Sequence, residues 1–394
     1  MKRSLSRFPS LNFGLLLLTL VFIAAAAVPD AAVATAAPID NREVFVSSQN
    51  GVTGVISARE SAVEWTAVQQ PWTKSRMLAA QPYPLPTNDA IPTALSEPAV
   101  PSGDSVLIPS IPPDNSSPAY QVENGFDILA GDSLLGYDYP APFTRYENFD
   151  DYTVFPYSTV GVLFFSQDGK DYRCSAASIG SNALWTAGHC VHDGNGTVDG
   201  WSDNVVFAPA YKNGNTPFGT WTFYDLVTRV AWFSGKDFRF DIGGVILEPN
   251  ASGKTVNEIV GSLGFAYNLN PNQHWFNIGY PVKAPFDGKT MQICAASFAR
   301  NAPNYTSPIP MAMGCDMTPG SSGGPWIINF SGSSGNTNYI NGNNSYRYTG
   351  LEEEIYSPYF SDAAKDLLAY ISPYTRLLTN INIHLPIIYS NQKK

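Results

Sequence analysis

Cysteine is scarce in this chain and absent from its first 173 residues; the four that occur in 394 residues stand at 174, 190, 294 and 315. No disulfide can therefore form within that leading stretch. Charge is sparse as well, at 14% of residues, with 33 acidic against 23 basic groups and a formal charge of −10. No run of Lys or Arg follows the first ten residues, which excludes the clustered basic face that a nucleic-acid partner requires. Histidine is limited to positions 189, 192, 274 and 384, and no cluster of metal-ligating residues gathers around any of them. Beyond the N-terminus no apolar run approaches the roughly 20 residues that span a bilayer. No internal repeat of fixed period is visible. Glycine and proline, by contrast, supply 32 and 31 residues, in a chain that is 44% hydrophobic. That balance favours turn-rich β structure around a sizeable core over long helices.

The N-terminus sets the compartment. Lys2, Arg3 and Arg7 precede an uncharged apolar run from Gly14 to Val28, and Ala34-Thr35-Ala36 follows as a small-residue cleavage site. Residues 1–36 thus have the pattern of a signal peptide, with a run short for a spanning helix. The alternative is an uncleaved membrane anchor, lengthened by the Ala-rich stretch. Export places the cysteines in oxidising surroundings, where they are expected to be disulfides.

Residues 37–144 differ from the rest. Ten prolines fall between Gln81 and Tyr120, and each removes a donor and restricts its predecessor. This stretch is expected to be a largely disordered propeptide or a spacer that stays attached. From about Arg145 the texture changes to short apolar bursts, such as Thr159–Phe165, Ile242–Leu247 and Trp326–Phe330, separated by Gly, Asn, Asp, Ser and Pro. Repeated short strands with turn punctuation indicate an all-β barrel or sandwich, and residues 145–394 suffice for one large or two small barrels. One amphipathic helix is expected near the end, capped by Ser361, with Leu367, Leu368 and Ile371 on one face.

Three motifs carry chemistry, in the order Trp185-Thr-Ala-Gly-His-Cys190, Phe240-Asp-Ile-Gly-Gly244 and Pro319-Gly-Ser-Ser-Gly-Gly-Pro325. Ser322 lies among glycines that permit a tight turn, and the N–H groups of Gly320 and Ser322 are placed to face a developing oxyanion. The same Gly-x-Ser-x-Gly spacing fits the nucleophile elbow of α/β-hydrolases. That reading needs a helix after the serine and a histidine last in the order, whereas a strand follows here. His189 ends an apolar strand. A bond from Cys190 to Cys174 would close a loop worth about 3 kcal/mol and pin the histidine as a general base. Asp241 enters a buried strand, where a carboxylate needs a partner, and His189 Nδ1–H is the natural one. Asp225 and Asp237 are rivals. His192 is read as a surface-loop residue and His274 as barrel wall.

The order His189, Asp241, Ser322 and the motifs around these residues resemble the chymotrypsin-fold serine endopeptidases. Pro319–Gly323, Tyr157–Phe165 and Gly279-Tyr280-Pro281 are similar to the V8-like, glutamyl-endopeptidase branch. The resemblance implies two six-stranded antiparallel β-barrels, about 150–255 and 256–375, with a C-terminal helix. It implies a triad in the cleft between them that needs no metal or cofactor. It also implies disulfides Cys174–Cys190 and Cys294–Cys315, the second bracing the loop to Asp316. Ser321 stands where chymotrypsin has an aspartate, so activation by an inserted N-terminus is not available. Asp316, six residues before Ser322, lies in this family near the base of the specificity pocket. Asp316 and Ser345 are accordingly expected to bind substrate. Asp316 leans the preference toward Lys or Arg, with Glu and neutral residues open. The expected protein is a secreted, monomeric serine endopeptidase made as a zymogen. It would act on protein or peptide substrates, with no stable membrane association after signal cleavage. The alternatives are a silent binding module on a protease scaffold and a membrane-tethered processing protease.

Overall fold

The short apolar bursts become β-strands in a computed structural model, which describes residues 54–59, 61, 70–89, 101, 103–114, 140–146, 152–331 and 337–372. All of these fall within one compact unit, Phe45–Lys394. The apolar run 14–28, the cleavage motif and His384 lie outside the described residues.

Five short strands precede the main body: β1 (Val55–Ser57), β2 (Gln81–Pro82), β3 (Thr87–Asn88), β4 (Val106–Ile108) and β5 (Thr144–Tyr146), with a helical turn, α1 (Lys74–Ala79). Six strands then form the first barrel: β6 (Val160–Gln167), β7 (Lys170–Gly180), β8 (Ala183–Thr186), β9 (Asp203–Pro209), β10 (Trp221–Arg229) and β11 (Gly243–Leu247). Antiparallel pairing runs β6–β7–β8–β11–β10–β9 and closes from β9 back to β6. The β6–β7 hairpin turns on Asp168-Gly169, both with positive φ (50° and 71°), the pairing that matches strand twist in a two-residue turn.

A second sheet system contains β12 (Gly264–Tyr267), β13 (His274–Gly279), β14 (Gln292–Asn301), β15 (Met311–Gly314), β16 (Pro325–Ile328), β17 (Tyr339–Asn343), a short β18 (Arg347–Tyr348) and β19 (Glu354–Ser357). Its path is β19-β15-β14-β13-β16-β17-β12, and the β12–β17 pairing is parallel. Three further helices are short: α2 (Val230–Gly235), α3 (Val256–Val260) and α4 (Asp362–Ile371). Ser361 caps α4 and Leu367, Leu368 and Ile371 are its buried face, as the pattern requires.

The strand runs are apolar at nearly every position because they serve two cores. Leu163, Phe165, Leu184, Phe207 and Val245 fill the first barrel. Their neighbours Val162, Phe164 and Trp185 face the second sheet and meet Phe265, Ile278, Ile293 and α4. Alternate residues of one strand thus enter different cores, so both parities read as hydrophobic. A third cluster, with Trp275, Phe298, Met313 and Trp326, fills the second sheet system.

Within segment 37–144 the described residues include short strands that pair with the main body. β1 pairs with β10, β2 with β7, β3 with β18 and β4 with β12. β5, which begins at Thr144, pairs with β14. Each strand is two or three residues long, so it lacks the alternation that marks a strand in sequence. The partner edge supplies its order.

Candidate active site

β8 is wholly buried and delivers the chain into a short turn, Gly188–Cys190, that carries His189. Gly188 is required there: a Cβ would stand 2.8 Å from the Trp232 ring and 3.0 Å from Asp241 Oδ1. The close approach lets Asp241 take two bonds from one residue, the His189 N–H at 2.8 Å and His189 Nδ1 at 2.7 Å. Ser345 donates its hydroxyl to Asp241 Oδ2 at 2.5 Å. Asp241 is fully buried, and three donors satisfy a carboxylate that burial alone would penalise. The Cys174–Cys190 disulfide ties the histidine turn to β7, and Cys294–Cys315 is formed as well.

The rival acids are engaged elsewhere. Asp225 accepts the N–H groups of Arg59 and Leu226, and burial raises its pKa. Asp237 caps the turn before Asp241 and pairs with Arg239 at 2.6 Å.

The serine loop is held by its carbonyls. Ser175 N–H donates to Ser322 O at 2.7 Å and Ser175 Oγ to Gly320 O at 3.0 Å. Asn344 Nδ2 donates to Ser321 O at 3.0 Å, and Gly323 N–H to Asn344 O at 2.8 Å. Gly320 has φ of 101°, a region open to glycine. With the carbonyls so anchored, the N–H groups of Gly320 and Ser322 find no acceptor among the described residues. Ser322 Oγ and His189 Nε2 are also buried without a hydrogen-bond partner. Ser321 Oγ, on the same loop as Ser322, is also without a partner, and such a concentration of unpaired polar groups on two adjoining loops would be a net cost in a purely structural site. The adjacency is direct: a Cβ on Gly323 would stand 2.0 Å from Thr186 Oγ1 and 2.8 Å from Ala187 N, just before His189. Ser321 is fully buried.

Two contacts were not legible in the sequence. The Tyr83 ring, from the Pro-rich segment, stacks on the His189 imidazole with centroids 5.7 Å apart and planes 22° apart. Burial raises the Tyr83 hydroxyl pKa well above its usual value. Asp316 is ion-paired with Arg145 of β5, whose Nε lies 3.3 Å from Asp316 Oδ1. On β19, Glu354 is buried against Arg300 at 2.7 Å, and burial raises its pKa while Arg300 opposes the shift.

His192 is not a surface residue: it is fully buried, packed on Trp201 and Phe233. Gly194 N–H donates to its Nδ1 and its Nε2 faces Thr197 O at 2.8 Å, so it is held neutral, and burial lowers its pKa. Trp201 folds back from the far end of the same connection and Phe233 comes from α2, a packing that sequence next to His192 does not reveal. His274 opens β13 beside Ser297 Oγ at 3.0 Å, in keeping with barrel wall. The two groups that bring three metal-ligating residues together among the described residues are Cys174, His189, Cys190 and Cys294, Cys315, Asp316. Each uses two disulfide-bonded cysteines, which offer no thiolate, so neither fits a metal.

No family model matches the chain. Among solved structures it is similar to a thermostable serine protease, AL20, from an extremophilic microorganism, with 36% identity over 55% of this chain and 97% of that one, TM-score 0.49. It is also similar to the protease Anisep of Arthrobacter nicotinovorans, with 31% identity over 55% of this chain and 95% of that one, TM-score 0.50. A curated relative, an extracellular metalloprotease of Bacillus subtilis strain 168, is 26% identical over 138 residues, 34% of this chain. The match spans 41% of that relative's length.

Proposed function

The chain belongs to the serine proteases of the chymotrypsin fold, and on that premise we propose that it is an exported endopeptidase with Ser322 as nucleophile. His189 takes the Ser322 proton as the hydroxyl attacks the scissile carbonyl, then returns it to the departing amine. Asp241 holds the imidazole tautomer through Nδ1, and the N–H groups of Gly320 and Ser322 receive the oxyanion. Water then hydrolyses the acyl-enzyme by the same proton route. Residues 1–36 direct export and residues 37–144 act as a propeptide of a monomeric zymogen. The observation that carries this reading is the His189 Nδ1–Asp241 Oδ2 bond at 2.7 Å, with His189 Nε2 and Ser322 Oγ both buried and without partners.

The test is a cleavage profile of a mixed peptide library, read by mass spectrometry beside a Ser322→Ala control. Cuts made by the wild type and lost in the control are expected. Cuts made equally by both would sink the serine mechanism. N-terminal sequencing of exported protein tests the leader: a start after Ala36 is expected, and full-length material in the membrane fraction would favour a tether.

A further inference from the structure

Ser322 and His189 are nearly closed off from solvent, at 0% and 2% exposure, and the chain itself closes them. Two rims flank the serine. One is β7 at Tyr172–Arg173, just before Ser175, which anchors the serine loop. The other is β18 at Arg347–Tyr348, just after Ser345, which anchors Asp241. Residues 81–89 cross from the first rim to the second.

The crossing can be followed bond by bond. β2 lies parallel to Tyr172–Arg173, and Tyr83 N–H donates to Arg173 O at 3.0 Å. The Tyr83 ring covers His189. Leu85 is buried in the apolar cluster that holds Cys315 and Met317, the neighbours of Asp316. Arg347 N–H donates to Pro86 O at 3.0 Å, β3 lies parallel to Arg347–Tyr348, and Thr349 Oγ1 donates to Asp89 Oδ1 at 2.9 Å.

The direction of this crossing matters. With Asp316 in the pocket that the resemblance implies, the residue before the scissile bond sits against the 315–320 wall, and the leaving amine, which takes its proton from His189, sits beside that histidine. Arg347 donates to Met317 O, so that wall belongs to the β18 rim. His189 is tied to the β7 rim by the Cys174–Cys190 disulfide. A substrate must therefore run from the β18 rim to the β7 rim. Residues 81–89 run the opposite way.

We propose that residues 81–89 are an inhibitory strap threaded against the substrate direction, which blocks the chain's own active site without being cut by it. The inference rests on the Ser322–His189 reading. In the reversed direction no peptide of the strap can turn its carbonyl to Gly320 and Ser322 while its nitrogen faces His189. Prolines at 82, 84 and 86 hold the strap extended before it docks, which lowers the entropy lost on binding. Main-chain pairing at both rims and the buried Leu85 side chain supply the affinity.

The test uses the intact chain and a fluorophosphonate probe that labels a reactive serine. Wild type, Tyr83→Ala, Leu85→Ala and Ser322→Ala are compared, each checked for folding by thermal melt. Both strap variants are expected to label about twentyfold faster than wild type, and Ser322→Ala not at all. A synthetic peptide of residues 79–89 is expected to slow the labelling of both variants and to be recovered whole. Equal labelling rates for wild type and both variants would leave Ser322 reactive and overturn the strap, as would cleavage of the peptide between residues 82 and 88. No labelling of any form would instead overturn the serine reading and the strap with it.

Discussion

Arg145, on a strand ahead of the first barrel, is ion-paired with Asp316, six residues before Ser322. The carboxylate that would attract a Lys or Arg side chain of substrate thus already has a cation from its own chain. Preference for Lys or Arg should then depend on whether Arg145 stays in place. In the Leu85→Ala background, Arg145→Gln is expected to raise kcat/KM after Lys or Arg about tenfold over a neutral residue, through the freed carboxylate. Matched peptides differing only before the scissile bond measure this. An unchanged ratio would mean that Asp316 does not face the substrate.

Ser345 supplies one of three hydrogen bonds to the Asp241 carboxylate. Removing a donor from a buried carboxylate costs roughly 1.5–3 kcal/mol. Ser345→Ala should lower kcat by about tenfold or more with KM little changed, because the bond orients the base rather than the substrate. A rise in KM alone would assign Ser345 to substrate binding.

Arg76, on α1, donates to both oxygens of Asp171 at 2.7 Å, which docks the leading segment on the β6–β7 hairpin. The Arg76 hydrogen bond holds the Asp171 pKa below its ordinary value. A depressed carboxylate stabilises the fold above its ordinary range, and that contribution is lost as pH falls through the depressed value. The pair is partly exposed, so it contributes at most about 1 kcal/mol. Asp171→Asn should melt a few degrees below wild type at pH 7, with the gap closing as pH falls below the ordinary carboxylate range. A gap that persists in acid would contradict the assignment.

Gly323 combines a φ of 78° with close neighbours: a Cβ would stand 2.0 Å from Thr186 Oγ1 and 2.4 Å from Ser175 O. Gly323→Ala should destabilise the fold by more than about 2 kcal/mol, from backbone strain and overpacking together. Denaturant titration measures it. A loss below about 0.5 kcal/mol would show that the serine loop tolerates displacement.

Much of the site was legible because its chemistry is local in sequence. The histidine turn, the acid before a Gly-Gly strand and the serine among glycines are each contiguous, and the disulfides follow from a resemblance that these motifs carry. The strap was not legible. Gln81 and Tyr172, or Thr87 and Arg347, meet across long stretches of chain, and a proline-rich sequence has the same pattern whether free or docked. Arg145 gave no signal either, since nothing near it in sequence points to Asp316. The fold class was clear from the apolar bursts. The burial of His192 was hidden because its own connection folds back at Trp201 and α2 brings Phe233 onto it.

β1 and β4 also lie against strands that would otherwise end in solvent. Val55–Ser57 cover the end of β10, and Val106–Ile108 cover β12, the last strand of its path. A bare strand edge is a template for joining another chain. Full excision of the leading segment would therefore make the product adhesive as well as active. Storage and handling of such a trimmed form would be governed by self-association, and a nick that leaves the cut piece in place would keep it dispersed.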